Sequence, residues 1–205
     1  MQIPVVFSRF LTILAIVWCL GIGKTHAQKA VTTAPAPPQV DLFELSIGFD
    51  YLYADDALAK NMYGGDISLF LNVNSWLAVG GEFIGEYGEK DHLVFNRNTT
   101  FDEDRLFYVF GMRLSVWQND TFKVFAEALG GGGHAHASAL IFGVDRHASA
   151  DGFAAVLGAG TEWKFNQRLA WRIIEADYIP AHFGGQWEND FRVATGLSLF
   201  FGKGW

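Results

Sequence analysis

The sequence predicts an all-β chain folded as an eight-stranded antiparallel up-and-down transmembrane β-barrel, and three observations predict it. Large apolar or aromatic residues alternate with small or charged ones in about eight segments after residue 41. A period of two marks a strand whose two faces meet different surroundings. The connections between these segments alternate short and long, and aromatic residues gather at both ends of the segments.

The N-terminal region is read separately. Between Arg9 and Lys24 lie 14 uncharged residues, fewer than the roughly 20 that a membrane-spanning helix needs. The apolar run Phe10 to Ile22, preceded by Arg9 and followed by Thr25-His26-Ala27, resembles a signal peptide with small residues at its cleavage positions. Residues 1–27 are therefore expected to direct export and be removed. Residues 28–41, containing Pro35, Pro37 and Pro38, are expected to form a short periplasmic leader, and residues 42–205 the barrel. Cys19 follows Trp18, where lipidation requires a small residue, so it is read as part of the apolar run. Cleavage after Ala27 leaves no cysteine, which excludes disulfides and thiolate chemistry. The remaining chain carries a net charge of −9 with no basic stripe, which argues against nucleic acid as a partner.

Strands are expected near 42–54, 63–73, 76–87, 105–117, 122–133, 152–163, 169–180 and 190–202. The first sets Phe43, Leu45, Ile47, Phe49, Tyr51 and Tyr53 against Glu44, Ser46, Gly48 and Asp50. The fourth sets Leu106, Tyr108, Phe110, Met112 and Leu114 against Arg105, Gly111, Arg113 and Ser115. The eighth sets Phe191, Val193, Leu197, Leu199 and Phe201 against Arg192, Ala194, Gly196 and Ser198. About 12 residues of tilted strand cover about 28 Å of membrane. In the seventh strand, strict alternation would put Trp171 and Ile173 on one face with Glu175 and Asp177. A bulge at Ile173-Ile174 is expected to turn both carboxylates inward. Short turns are expected at Asn74-Ser75, Gln118 to Thr121 and Lys164 to Arg168. Long external loops are expected at Asp55 to Met62, Gly88 to Asp104, His134 to Asp151 and Ala181 to Asn189.

Two aromatic girdles are expected at the membrane boundaries, where an apolar ring and a polar tip are both accommodated. The periplasmic girdle comprises Phe43, Trp76, Trp117, Phe122, Trp163, Trp171 and Trp205; the external one comprises Tyr53, Tyr63, Tyr87, Phe153, Tyr178 and Phe191. A soluble ligand-binding barrel would carry charge on its outer face, whereas the face opposite these aromatics is largely Gly, Ala and Ser.

These closing strands resemble the small eight-stranded outer-membrane barrel family, the group of the OmpA membrane domain, OmpX and Ail. The resemblance covers residues 42–205. It rests on Ala170-Trp171-Arg172 through Ala176-Asp177-Tyr178-Ile179-Pro180 and on Asp190-Phe191-Arg192-Val193 through Leu199-Phe200-Phe201-Gly202. It implies an outer-membrane location, contact with outer-membrane lipid and lipopolysaccharide, and recognition of the last strand by the barrel-assembly machinery. Lys203-Gly204-Trp205 extend past the usual stop, with Trp205 in phase to serve as the terminal aromatic.

Alternation places Glu44, Asp50, Asp66, Glu82, Glu86, Glu127 and Glu162 inward with Arg105, Arg113, Lys123, Arg172 and Arg192, and the bulge adds Glu175 and Asp177. An eight-stranded barrel is only wide enough for side chains, so these groups are expected to form a salt-bridge plug. Arg113 is the expected cation between Asp66 and Glu82. A narrow cation-leaning channel is the alternative. His134, His136 and Ser138, with His147 and Asp151 nearby, raise metal binding or lipid A deacylation. Ala139 stands where such deacylases carry asparagine, so polar loop residues are the preferred reading and no catalytic, cofactor or metal site is assigned. Phe95, Phe142 and Trp187 are candidate adhesive residues on the loops. The expected function is a non-enzymatic envelope protein whose external loops contact surfaces, ligands or lipopolysaccharide.

Overall fold

The computed structural model describes residues 41–55, 61–94, 97–141, 144–203. Residues 1–40, where the signal peptide and leader are expected, Trp205, and the expected loop residues Phe95 and Phe142 lie outside the described residues. The described chain is a meander of eight strands: β1 (Asp41–Tyr53), β2 (Asn61–Asn72), β3 (Leu77–Val94), β4 (Arg97–Gln118), β5 (Phe122–Ile141), β6 (Val144–Lys164), β7 (Leu169–Phe183) and β8 (Gln186–Lys203). Each pairs antiparallel with its sequence neighbours, and β1 pairs with β8 to close the barrel. Closure removes both sheet edges, which is what allows a sheet to cross hydrocarbon with every backbone group paired.

The alternation sorts side chains as a barrel requires. Outward positions include Ile47, Phe49, Ile67, Leu69, Phe83, Phe110, Met112, Leu157, Leu197 and Leu199, all exposed. A continuous apolar belt of this kind is untenable in water and matched by lipid. The molecule is a transmembrane barrel.

Two bulges correct the alternation where it would misplace side chains. The register between β4 and β5 shifts between Ser115 and Trp117, so Val116 and Trp117 both face outward. The register between β7 and β8 shifts between Arg172 and Glu175, so Ile174 is exposed while Arg172, Glu175 and Asp177 are buried. The extra residue lies in the Ile173-Ile174 pair, and the cross-strand register slips by one unit there.

Three short turns share one device. Asn74 Oδ1 accepts from the N–H groups of Trp76 and Leu77, Asn119 Oδ1 from those of Thr121 and Phe122, and Asn166 Oδ1 from those of Arg168 and Leu169. Each asparagine side chain satisfies two donors that the reversal leaves unpaired. At the opposite end, β7 and β8 are joined through Gly184 (φ 56°) and Gly185 (φ 88°) between the paired residues Phe183 and Gln186. Both central residues need positive φ, which glycine adopts without steric cost.

The external connections differ from the expectation of long loops. β3 and β4 stay paired to Val94 and Arg97, β5 and β6 to Ile141 and Val144, and β7 and β8 to Phe183 and Gln186. Residues 88–94, 97–104, 134–141 and 144–151 are thus largely strand. Beyond the lipid both faces of a ribbon meet polar surroundings, so the apolar alternation stops while backbone pairing continues.

Candidate functional site

The barrel interior is built by inward residues of all eight strands, and its charged members form two clusters. The central cluster turns on Arg192 of β8. Its Nη2 lies 2.8 Å from Glu82 Oε1, 2.7 Å from Asp177 Oδ2 and 3.1 Å from Glu175 Oε1, and its Nη1 lies 3.6 Å from Asp50. Arg172 of β7 pairs with Glu175 at 2.7 Å and Asp66 at 3.2 Å, and donates to Ser68 Oγ. Arg113 of β4 pairs with Glu44 at 2.7 Å and Glu127 at 2.8 Å. Its guanidinium lies between the rings of Phe70 and Phe125, 4.0 and 4.4 Å from their centroids. Lys123 reaches Glu44 at 2.6 Å and Glu162 at 3.4 Å, and Ser198 donates to Glu162.

Arg113 therefore does not sit between Asp66 and Glu82. Those carboxylates answer to Arg172 and Arg192, which reach them from the opposite wall, while Arg113 is drawn to Glu127 beside it in the β4–β5 register and to Glu44 across the lumen. Sequence adjacency on a hairpin fixes neighbours along one wall but not partners across a tilted, staggered barrel.

Inward glycines leave room for this network. A Cβ on Gly158 would lie 1.8 Å from Asp177 Oδ1, and one on Gly48 would lie 2.2 Å from Asp66 Oδ1. Asp50 and Glu86 flank Gly64 in register across β1, β2 and β3. Glu86 is buried, and neither of its oxygens has a hydrogen-bond partner.

The second cluster lines the external mouth. Arg105 pairs with Glu103 at 2.9 Å, Glu188 at 2.8 Å and Asp190 at 2.7 Å, and Asp190 Oδ1 accepts from the Asp55 N–H. A recess of about 300 Å³ opens beside it, bounded by Glu103, Arg105, Ala135, Phe183 and Glu188. Among the described residues no ion pair joins this cluster to the central one, and Leu52, Met62, Ile84, Phe107, Ile179 and Phe183 pack as part of one apolar core. Glu103 and Glu188 were outside the sequence-derived set because they fall in segments read as loop, and Asp190, which opens the expected strand 190–202, was not counted among its inward residues. Extending the parity of Arg105 and Arg192 by a few residues would have found all three.

Among the described residues the buried carboxylates are Glu44, Asp50, Asp66, Glu82, Glu86, Glu103, Glu127, Glu162, Glu175, Asp177 and Asp190, and the buried cations are Arg105, Arg113, Lys123, Arg172 and Arg192. Carboxylates thus outnumber buried cations by more than two to one. Glu82, Glu127 and Glu175 each bring one oxygen within 4.8 Å of the others, a set that could hold a metal ion.

On the outer surface, Trp76, Trp117, Phe122, Trp163 and Trp171 are exposed near the asparagine turns, and partly buried Phe43 stacks on Phe201. Phe122 stacks on Trp163, and Trp171 Nε1 donates to Thr195 Oγ1. At the other end stand Tyr53, Tyr63, Tyr87, Phe153, Tyr178 and Phe191, with Tyr178 against Phe191. Tyr87 donates to Asp102 Oδ1 and Tyr178 to Asn189 Oδ1, so each ring lies along the belt while its hydroxyl meets a polar group.

His134, His136 and Ser138 belong to β5 rather than to a loop. His134 Nδ1 lies 2.7 Å from Asp151 Oδ1, and the rings of His136 and His147 stack at 5.8 Å. Ser138 stands opposite Asp102 and His147 in register. Among the described residues no hydrogen bond links Ser138 to a histidine, so no base is poised on its hydroxyl. Trp187 is exposed and packs against His182.

With this geometry the chain aligns to solved barrels. Ail, the attachment invasion locus protein of Yersinia pestis, matches with a TM-score of 0.57 at 19% identity, covering 79% of this chain and 99% of Ail. The fold is that of the small eight-stranded outer-membrane barrels. The Ail structure with the heparin analogue sucrose octasulfate matches this barrel at 20% identity and a TM-score of 0.57, covering 78% of this chain and 97% of that one. OprG from Pseudomonas aeruginosa matches it with a TM-score of 0.50 at 10% identity, covering 80% of this chain and 98% of OprG. Neither a protein-family model nor a curated protein sequence matches the chain.

Proposed function

We propose that this chain is an exported, non-enzymatic integral protein of the outer membrane whose body is closed to solutes and whose external hairpins contact a surface, a ligand or lipopolysaccharide, supporting envelope integrity. The observation that carries this reading is the interior. Four buried cations, each held by at least two carboxylates, fill the central lumen. A barrel of eight strands has no bore left once such side chains are seated.

The hairpins supply the contact surface. They stay paired beyond the external tyrosines, so they present His134, Asp102, Asp151 and Trp187 on rigid ribbon rather than on free loop. Rigid presentation lowers the entropy lost on binding, and function concentrates on segments displayed by a stable scaffold. The lipid A deacylase alternative is less favoured, because among the described residues no histidine is hydrogen-bonded to Ser138.

The test begins with the outer-membrane fraction, where the unboiled protein should migrate differently from the boiled one. The same folded protein in a planar bilayer should give no stepwise conductance. Recovery as a soluble periplasmic protein would overturn the membrane reading, and steady cation-selective steps would replace the closed body with a channel.

A further inference from the structure

Among the described residues every buried carboxylate but one lies within 3.6 Å of a cation. Even Glu82, Glu127 and Glu175, whose oxygens crowd together, are each held by an arginine. Glu86 is the exception: it is buried, and no ion pair joins it to a cation among the described residues. Arg105 stands opposite it in the β3–β4 register but turns instead to Glu103, Glu188 and Asp190.

What Glu86 meets is Asp50. Gly64 of β2 pairs with Asp50 of β1 on one side and with Glu86 of β3 on the other. Because Gly64 has no side chain, the two carboxyls can meet over it; a Cβ there would lie 2.6 Å from Glu86 Oε2. Asp50 and Glu86 are in hydrogen-bonding contact, yet none of their four oxygens has a donor. Ionised carboxylates only accept, so this contact forms only when one member carries a proton. Two bare carboxylates at such range in a water-poor interior would repel each other. Asp50 Oδ2 lies 3.6 Å from Arg192 Nη1, which marks Asp50 as the ionised member and Glu86 as the acid.

We propose that Asp50 and Glu86 form a proton-binding site, in which Glu86 donates a carboxyl hydrogen to Asp50 and ties β1 to β3 across β2. The other charged groups facing the pair are Asp66 of β2, Arg105 of β4, Glu175 of β7 and Arg192 of β8. Each of these two arginines is already shared among three other carboxylates, so neither displaces the proton. In the unfolded chain a glutamate titrates at about pH 4 and is bare at neutral pH. Folding at neutral pH therefore takes up one proton at this pair. Its contribution raises the folding equilibrium constant about tenfold for each unit by which the pH falls between about 7 and about 5. The barrel tightens as its surroundings acidify.

The test compares the full wild-type chain with Glu86→Gln and with Glu89→Gln, an exposed control on the same strand, all folded in detergent. Glutamine keeps the shape of the protonated acid, and its amide N–H donates to Asp50 as the carboxyl does. Urea unfolding is followed at several pH values between about 5 and about 7. The folding constant of Glu86→Gln relative to wild type should grow about tenfold per pH unit toward neutrality, while that of Glu89→Gln stays level. The infrared spectrum of the wild type near neutral pH should show a protonated carboxyl band that Glu89→Gln keeps and Glu86→Gln loses. A relative folding constant that does not change with pH, or a band unchanged in Glu86→Gln, would overturn the site. So would failure of Glu86→Gln to fold, since a neutral side chain is the native form here. Absence of the band from the wild type would overturn it whatever the variant does.

Discussion

Replacing Arg192 with methionine puts the interior to its severest test. The guanidinium is fully buried and is within 3.1 Å of Glu82, Glu175 and Asp177. Glu175 keeps Arg172 at 2.7 Å, but Glu82 and Asp177 have no other ion pair among the described residues. Breaking one buried pair costs about 3–5 kcal/mol because the remaining charge is stranded. Each stranded carboxylate can escape by taking up a proton, which at neutral pH costs about 4 kcal/mol for a group of ordinary acidity. The loss should therefore lie between about 3 and about 8 kcal/mol at neutral pH. Near pH 5 protonation costs only about 1 kcal/mol per group, so the same substitution should cost about 2 kcal/mol. The sign follows from the unfolded state, whose carboxylates titrate near pH 4: the penalty grows as pH rises above that value and fades as pH falls toward it. Urea unfolding in detergent, followed by tryptophan fluorescence at both pH values, measures it, with exposed Arg168→Met as control. A loss no larger than the control's, or one independent of pH, would refute the charge-network reasoning.

Three further substitutions probe other parts of the argument. Phe110→Lys places a charge on an exposed outward position in the middle of β4; facing lipid it should cost about 2–4 kcal/mol, whereas an unchanged unfolding midpoint in vesicles would mean that this face meets water. Asn119→Ala removes the acceptor for two turn N–H groups and should cost about 1 kcal/mol, visible as a shifted urea midpoint and absent in the neighbouring Asp120→Ala. Gly158→Ala drives a methyl to 1.8 Å from Asp177 Oδ1 and should cost about 1–3 kcal/mol through overpacking, with a wild-type urea midpoint counting against the fitted interior.

Strand number, order and the inside–outside assignment were legible because lipid and lumen impose opposite demands on successive residues. The Ile173-Ile174 bulge was legible for the same reason, since no other arrangement hides Glu175 and Asp177 from lipid. Where the lipid ended, that signal ended too. His134 to Asp151 looked like loop because neither face of the ribbon is apolar, although its backbone pairs residue by residue. Ion-pair partners were legible only as a set: parity shows that Arg113 points inward, but barrel tilt and stagger decide that it meets Glu44 from 69 residues away. The asparagine turns follow a rule that a period of two does not carry: Asn74, Asn119 and Asn166 each stand three residues before the residue that opens the next strand.

Strand lengths around the barrel are unequal in an ordered way. β3, β4, β5 and β6 run for 18, 22, 20 and 21 residues, against 13 for β1 and 12 for β2. β8 matches β3 at 18 residues and β7 runs for 15, so among the described residues the strands are longest over β4 to β6 and shortest at β1 and β2, and the long neighbours form a palisade. A molecule descending toward Arg105 and Asp190 passes the paired strands of this wall on one flank. The palisade offers its outer face sideways, toward whatever projects beside the barrel above the membrane. Height on one flank thus makes the hairpins of β3 to β6 the first part of the barrel that an approaching surface meets.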